Sequence, residues 1–166
     1  MAATYPLFFG FRDAIEGNGF LAGVAINGRA LMVHEGEVGG WWLYGVTPAG
    51  IAATGETPPE AHAAFRNAYR QVLFDAAAGA ETFEAFKAEV ERFFNEGDSE
   101  EQRWEEAAAA IRSGQVTPEP PFSDLPRIPA DSCPKSIAVE RLDQSERSFS
   151  TQKNTLDQYA LTVAAA

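Results

Sequence analysis

The chain has 166 residues, a hydrophobic fraction of 45% and a formal net charge of −11. That apolar content suits a folded domain and excludes a wholly disordered chain. The acidity repels phosphate backbones, which disfavours broad non-specific nucleic-acid binding; it favours encounter with a basic partner, and it equally serves solubility.

Three further absences narrow the class. No run of 18 apolar residues exists, so no transmembrane helix is expected. The start, MAATYPLFFGFRDA, has no basic region ahead of its short apolar run, so no signal peptide is expected. One cysteine, Cys133, leaves no intrachain disulfide and fits a reducing cytoplasm.

In chain order, Tyr5–Ile15 is aromatic and apolar and reads as a strand. Gly17-Asn18-Gly19 follows as a turn, then a strand over Phe20–Ile26, a second turn at Asn27-Gly28 and a strand over Ala30–Glu35. Trp41–Val46 is a further strand by residue type. Thr47-Pro48-Ala49-Gly50 reads as a turn and Ile51–Thr54 as a short last strand. Thr57-Pro58-Pro59-Glu60 opens a helix: Thr57 caps the free amides, Pro58 suits the first position and Glu60 bonds back. Ala61, Phe65, Tyr69, Val72 and Ala76 form its apolar face, and Gly79 stops it.

Thr82 caps a second helix through about Asn95, with Phe83, Phe86, Val90 and Phe93 on one face. Asp98-Ser99-Glu100-Glu101 starts a third, which carries Trp104, Ala107, Ala108 and Ile111 and ends near Gly114. From Gln115 six prolines punctuate the chain, and proline disfavours helix, so the segment reads as an extended linker or partner-binding arm. Ile137–Leu142 is a candidate strand and Thr155–Ala164 a candidate short helix. The expected fold is therefore α+β. An antiparallel sheet of four to five strands is packed by a helix, followed by two further helices and an extended C-terminal arm. Residues 1–114 form the domain, and residues 115–166 the Pro-rich arm and C-terminal segment.

The stretch from Ala30 to Ala77 resembles the core of the HicB-type antitoxins: strand, turn, second strand ending near a proline, third strand, a "G-[DE]-T-x-x-E-A" step and a helix. Here that step is Gly55-Glu56-Thr57-Pro58-Pro59-Glu60-Ala61. Gly55 turns the chain out of the sheet, and Ala61 lets the helix sit close on it. The resemblance implies a fragment of the ribonuclease H-like fold without its active site. It implies neutralisation of a small basic toxin, a HicA-type mRNA interferase, by direct contact. Many members also carry a C-terminal DNA-binding module. Here two extra strands, Tyr5–Ile26, precede the core, and the C-terminal part does not read as a helix-turn-helix or ribbon-helix-helix, so DNA binding is not expected.

No motif for chemistry competes with this. The zinc spacings, the phosphate loop and the nucleophile elbow are all missing from the sequence. A metal-dependent nuclease would need carboxylates such as Asp13, Glu35 and Glu56 to converge. His34 reads as a surface-strand histidine and His62 as exposed in the first helical turn. Cys133, followed by proline, is a poor nucleophile. No cofactor is expected.

The candidate interaction residues lie elsewhere. From Glu81 to Glu106 ten acids face only Lys87, Arg92 and Arg103, a charge of −7 that includes Glu89 and Glu96. This is either a surface for a basic partner or a solvated helix face. Trp41 and Trp42 must point to opposite sides of a strand, one into the core and one free to anchor an interface or to be covered. Phe122 and Leu125 sit on the proline arm, placed to enter a partner's groove or to fold back on their own domain. The expected partners are a small basic toxin and a second copy in a homodimer or higher homo-oligomer, with Tyr5–Phe11 as a candidate edge strand for self-pairing. A rival reading is a non-catalytic oligomeric scaffold or small-ligand binder on the same fold.

Overall fold

A computed structural model describes residues 3–36, 39–95, 100–128, 136–143 and 161–164. Its backbone is a long hairpin of two fourteen-residue strands, β1 (Ala3–Glu16) and β2 (Leu21–His34), in continuous antiparallel register from Ala3↔His34 to Glu16↔Leu21. The Gly17–Gly19 turn closes it, with the Gly17 amide donating to the Phe20 carbonyl at 2.9 Å. Strands β3 (Trp41–Thr47) and β4 (Ala49–Gly55) extend the sheet beyond the second half of β2. The C-terminal part supplies β5 (Arg127–Ile128), β6 (Ser136–Arg141) and β7 (Leu161–Ala164). The order is β4-β3-β2-β1-β7-β5, and β6 pairs with the first half of β2. The fold is α+β, as expected, and among the described residues the parallel contact is that between β5 and β7.

Asn27-Gly28 is not a turn. Both residues stay inside β2, opposite Gly10 and Phe9. At this point β2 exchanges one neighbour, β6, for another, β3. The Asn27 amide donates to Ser136 Oγ at 3.0 Å, and a Cβ at Gly28 would collide with the Thr47 carbonyl and the Phe9 ring. The glycine permits close approach rather than reversal.

Tyr5–Phe11 is likewise not a free edge along its length, since β7 pairs with its middle at Leu7–Phe9. Of the expected helix over Thr155–Ala164, residues 161–164 form a strand paired with Leu7–Phe9 of β1, and the remainder lies outside the described residues. The candidate strand Ile137–Leu142 is β6.

Helix α1 (Pro58–Gly79) begins as its capping sequence dictates. The Glu60 amide donates to Thr57 Oγ1 at 3.3 Å, and Glu60 Oε2 accepts from the Glu56 amide at 2.9 Å. Its buried face is Ala61, Phe65, Tyr69, Leu73 and Ala77, with Val72 and Ala76 half-buried. Gly55 has no Cβ to meet the first turn of this helix. Helix α2 (Phe83–Asn95), capped by Thr82 Oγ1 accepting from the Ala85 amide at 3.1 Å, buries Phe86, Val90 and Phe94. Both helices join the core on one sheet face, formed by Tyr5, Leu7, Phe9, Phe11 and Ile15 of β1 and by Val24, Ile26 and Met32 of β2.

Helix α3 (Glu101–Arg112) lies elsewhere. Its Trp104 and Ala108 pack with Phe8, Leu31, Val33 and Val46, which the alternation of the strands places on the opposite face. Trp104 is fully buried, meets Phe8 edge-on at 5.5 Å and donates through Nε1 to the Leu7 carbonyl at 3.3 Å. Arg29, 4% exposed, lies with its guanidinium 4.9 Å from the centre of the Trp104 ring. Its Nη2 reaches Thr47 Oγ1 at 3.0 Å and Glu101 Oε1 at 3.1 Å, and Nη1 lies 3.5 Å from Glu105. Two acids of α3 are therefore committed to a buried arginine of the sheet. The expected start of α3 at Asp98-Ser99 lies outside the described residues.

Trp104→Ala is expected to remove about 3–5 kcal/mol of stability, as truncation of a fully buried aromatic does. Gly28→Ala is expected to destabilise by forcing β3 from β2. Urea unfolding followed by circular dichroism checks both.

Candidate functional site

The outer edge of β4 is unpaired among the described residues. Its sequence, Ala-Gly-Ile-Ala-Ala-Thr-Gly, contains no charge and no proline. Proteins commonly guard such edges with lysine, proline or a cover. Ile51 is buried and Ala53 half-buried on the α1 side, while Ala52 and Thr54 are exposed on the other. Beside them on β3 stand Tyr44, opposite Ala52, and Trp42, opposite Thr54. These two rings stack at 5.8 Å with an interplanar angle of 10°, and both are half-buried. The small edge side chains leave the aromatic pair open as a shelf, with Tyr44 continuing into the cluster under α3. Burial raises the Tyr44 pKa, and nearby Glu35 and Glu100 add to the rise while Arg103 opposes it.

The remaining interaction candidates separate. Trp41 turns to the first core face, stacking with His34 at 4.5 Å and Tyr5 at 6.4 Å. Phe122, in a short 3-10 helix (Phe122–Asp124), is 1% exposed and stacks on Tyr5 at 4.1 Å. It serves its own core and is not presented to a partner, because the Tyr5 and Trp41 rings provide an apolar seat for the folded-back arm. Leu125 is half-buried against the same core. Glu89 is exposed on α2, its carboxylate held below its usual pKa by hydrogen bonds from Arg92. Glu96 lies outside the described residues.

The acidic run from Glu81 to Glu106 does not form one surface, because α2 and α3 sit on opposite sheet faces. The shelf partner Tyr44 and the bare edge of β4 were not singled out from sequence. The uncharged run Ala49–Gly55 was the available signal.

The carboxylates Asp13, Glu35 and Glu56 do not converge. Asp13 pairs with Arg70 at 2.7 Å, and the register puts it on the order of 30 Å along β2 from Glu35. Among the described residues, no three His, Cys, Asp or Glu side chains gather as metal ligands. Cys133 lies outside them. His62, expected to be exposed, is half-buried, and its Nε2 is buried without a hydrogen-bond partner among the described residues. No helix among these residues is long and apolar enough to cross a membrane. No protein-family model, curated protein or solved structure matches the chain.

Burial, with a smaller contribution from Arg66, pushes the His62 pKa from 6.5 to about 4. The unfolded chain then binds a proton that the folded chain refuses between those values. Stability that is present above pH 6.5 is lost as pH falls toward 4. Between pH 7.5 and 5 the loss through this group is about 2 kcal/mol. Urea unfolding at the two pH values checks it, and His62→Gln is expected to show a smaller drop than the parent chain.

Proposed function

We propose that this chain is a non-enzymatic, cytoplasmic binding protein of the HicB-like antitoxin type. It neutralises a small basic toxin, a HicA-type mRNA interferase, by direct contact along the open edge of β4. The observation that carries this reading is the uncharged β4 edge, unpaired among the described residues, beside the Trp42–Tyr44 shelf. An edge strand offers a partner a row of backbone donors and acceptors, and an adjacent aromatic pair adds an apolar anchor. The chain charge of −11 steers basic partners toward it. The reading is further supported by the succession of β2, β3, β4 and capped helix α1, which follows the order that the resemblance implies. In this reading no cofactor is used.

A second reading has a specific observation in its favour. The uncharged edge opposes no copy of itself, so two β4 strands can pair about a two-fold axis to give a homodimer. The two readings separate in one experiment. Co-expression with the small basic product of an adjoining gene is expected to give a stable complex and relief of growth arrest. Ala52→Lys with Thr54→Lys, which places two cations on the exposed shelf, is expected to weaken that complex at least about tenfold while leaving the fold intact. A complex indifferent to both lysines would sink the edge. A dimer seen by light scattering, with no basic partner retained, would favour the second reading.

A further inference from the structure

Beside the edge strand, α1 and α2 enclose a cleft of about 330 Å³. Its floor is apolar, from Val72, Ala76, Val90 and Phe93, and its mouth carries the carboxylates of Asp75 and Glu89. It continues past Gly79 and Ala85, at the C-terminal end of α1. That end bears the negative pole of the helix, and the last turn of α1 holds no basic residue to offset it. Asn18 donates to the Ala78 and Ala80 carbonyls at 3.3 and 3.0 Å, a neutral donor that leaves the potential negative. Arg92 engages Glu89 from its own helix, while Asp75 has the neutral Gln71 amide at 2.9 Å.

The cleft is contiguous with the edge strand. The Phe93 ring lies 3.9 Å from the position a Cβ at Gly50 would take, so the inner wall of the cleft abuts the start of β4. A chain laid along β4 therefore ends beside the Phe93 wall of this apolar, acid-mouthed slot.

We propose that this cleft receives a lysine or arginine side chain, flanked by an apolar residue, from a basic partner protein. The charge of the mouth selects the cation, and the apolar floor takes the aliphatic stem and its neighbour. The volume admits one such pair and not a whole helix face. The identity of the partner rests on the binding reading above, and the chemistry of the slot does not.

The probe is an acetylated twelve-residue helical peptide with leucine and lysine at i, i+4 spacing, alongside a counterpart carrying glutamate for lysine. Amide shifts of the full chain are followed by NMR. The lysine peptide is expected to shift Val72, Ala76 and Val90, and the glutamate peptide is not. Asp75→Lys with Glu89→Lys is expected to weaken the lysine peptide about tenfold, and Ala76→Leu, which fills the floor while keeping the charges, to weaken it as much. Equal binding of both peptides, shifts scattered over the acidic surface, or indifference to Ala76→Leu would overturn the proposal. A basic partner lost on Ala52→Lys and Thr54→Lys, but held by the Asp75→Lys and Glu89→Lys chain, would overturn the cleft alone. A lysine peptide seated in the cleft with no basic partner recovered would overturn the binding reading alone.

Discussion

Two fourteen-residue strands paired along their whole length impose a constraint that the remaining structure must meet. Side chains alternate across a pleated strand, so an aromatic run such as Tyr5–Phe11 cannot send its large groups to one side only. Tyr5, Leu7, Phe9 and Phe11 face one way and Phe8 the other. Each face therefore needs its own cover. Helices α1 and α2 supply the first, and α3 is taken to the second because Trp104 and Ala108 complete the cluster around Phe8, Leu31 and Val33.

That two-sided burial also decides what is left open. β7 takes one side of β1 at Leu7–Phe9, and β3 and β6 divide β2, so the central hairpin is paired on both sides only in part. At the end of the sheet β4 carries an unpaired row among the described residues, and its side chains are small. The same geometry places Trp42 and Tyr44 where α3 no longer reaches fully. The open shelf is a remainder of core packing. Arg29 shows the cost of joining α3 to the sheet: a buried cation is tolerated because Thr47, Glu101 and Glu105 supply its bonds and Trp104 its face.

Local chemistry was legible in the sequence where it acts locally. The cap at Thr57, the cap at Thr82, the stop at Gly79 and the start of each helical stripe follow from neighbours a few residues apart; further on, α1 buries Leu73 and Ala77 ahead of the expected Val72 and Ala76, and α2 buries Phe94 ahead of Phe93. What failed depended on distant chain. Asn27-Gly28 carries the composition of a turn, but its role is set by Phe9, Thr47 and Ser136, none of them near in sequence. Tyr5–Phe11 has the composition of an edge, but β7 occupies its middle at Leu7–Phe9 from more than 150 residues away. The acidic run looked continuous because sequence proximity hides that α2 and α3 are divided by a sheet. Trp41 and Trp42 were legible as opposed neighbours, and the register of β3 on β2, which puts Trp41 on the face of Leu43 and Trp42 on the face of Val33, determines which of them stays open.

The distribution of acid then bears on how recognition is divided. Glu101 and Glu105 serve Arg29, Glu100 serves Arg103, and Glu89 and Glu91 meet Arg92 and Lys87. Much of the helical acidity is thus engaged within the chain, and exposed ion pairs of this kind contribute little to stability. The net charge of −11 still attracts a basic molecule over a Debye length or so, which affects its arrival more than its residence. Residence needs directional contact, and uncharged β4 provides a row of backbone groups that a diffuse field does not. In the binding reading proposed above, charge sets who approaches, and the β4 strand, its two rings and the adjoining slot set who remains.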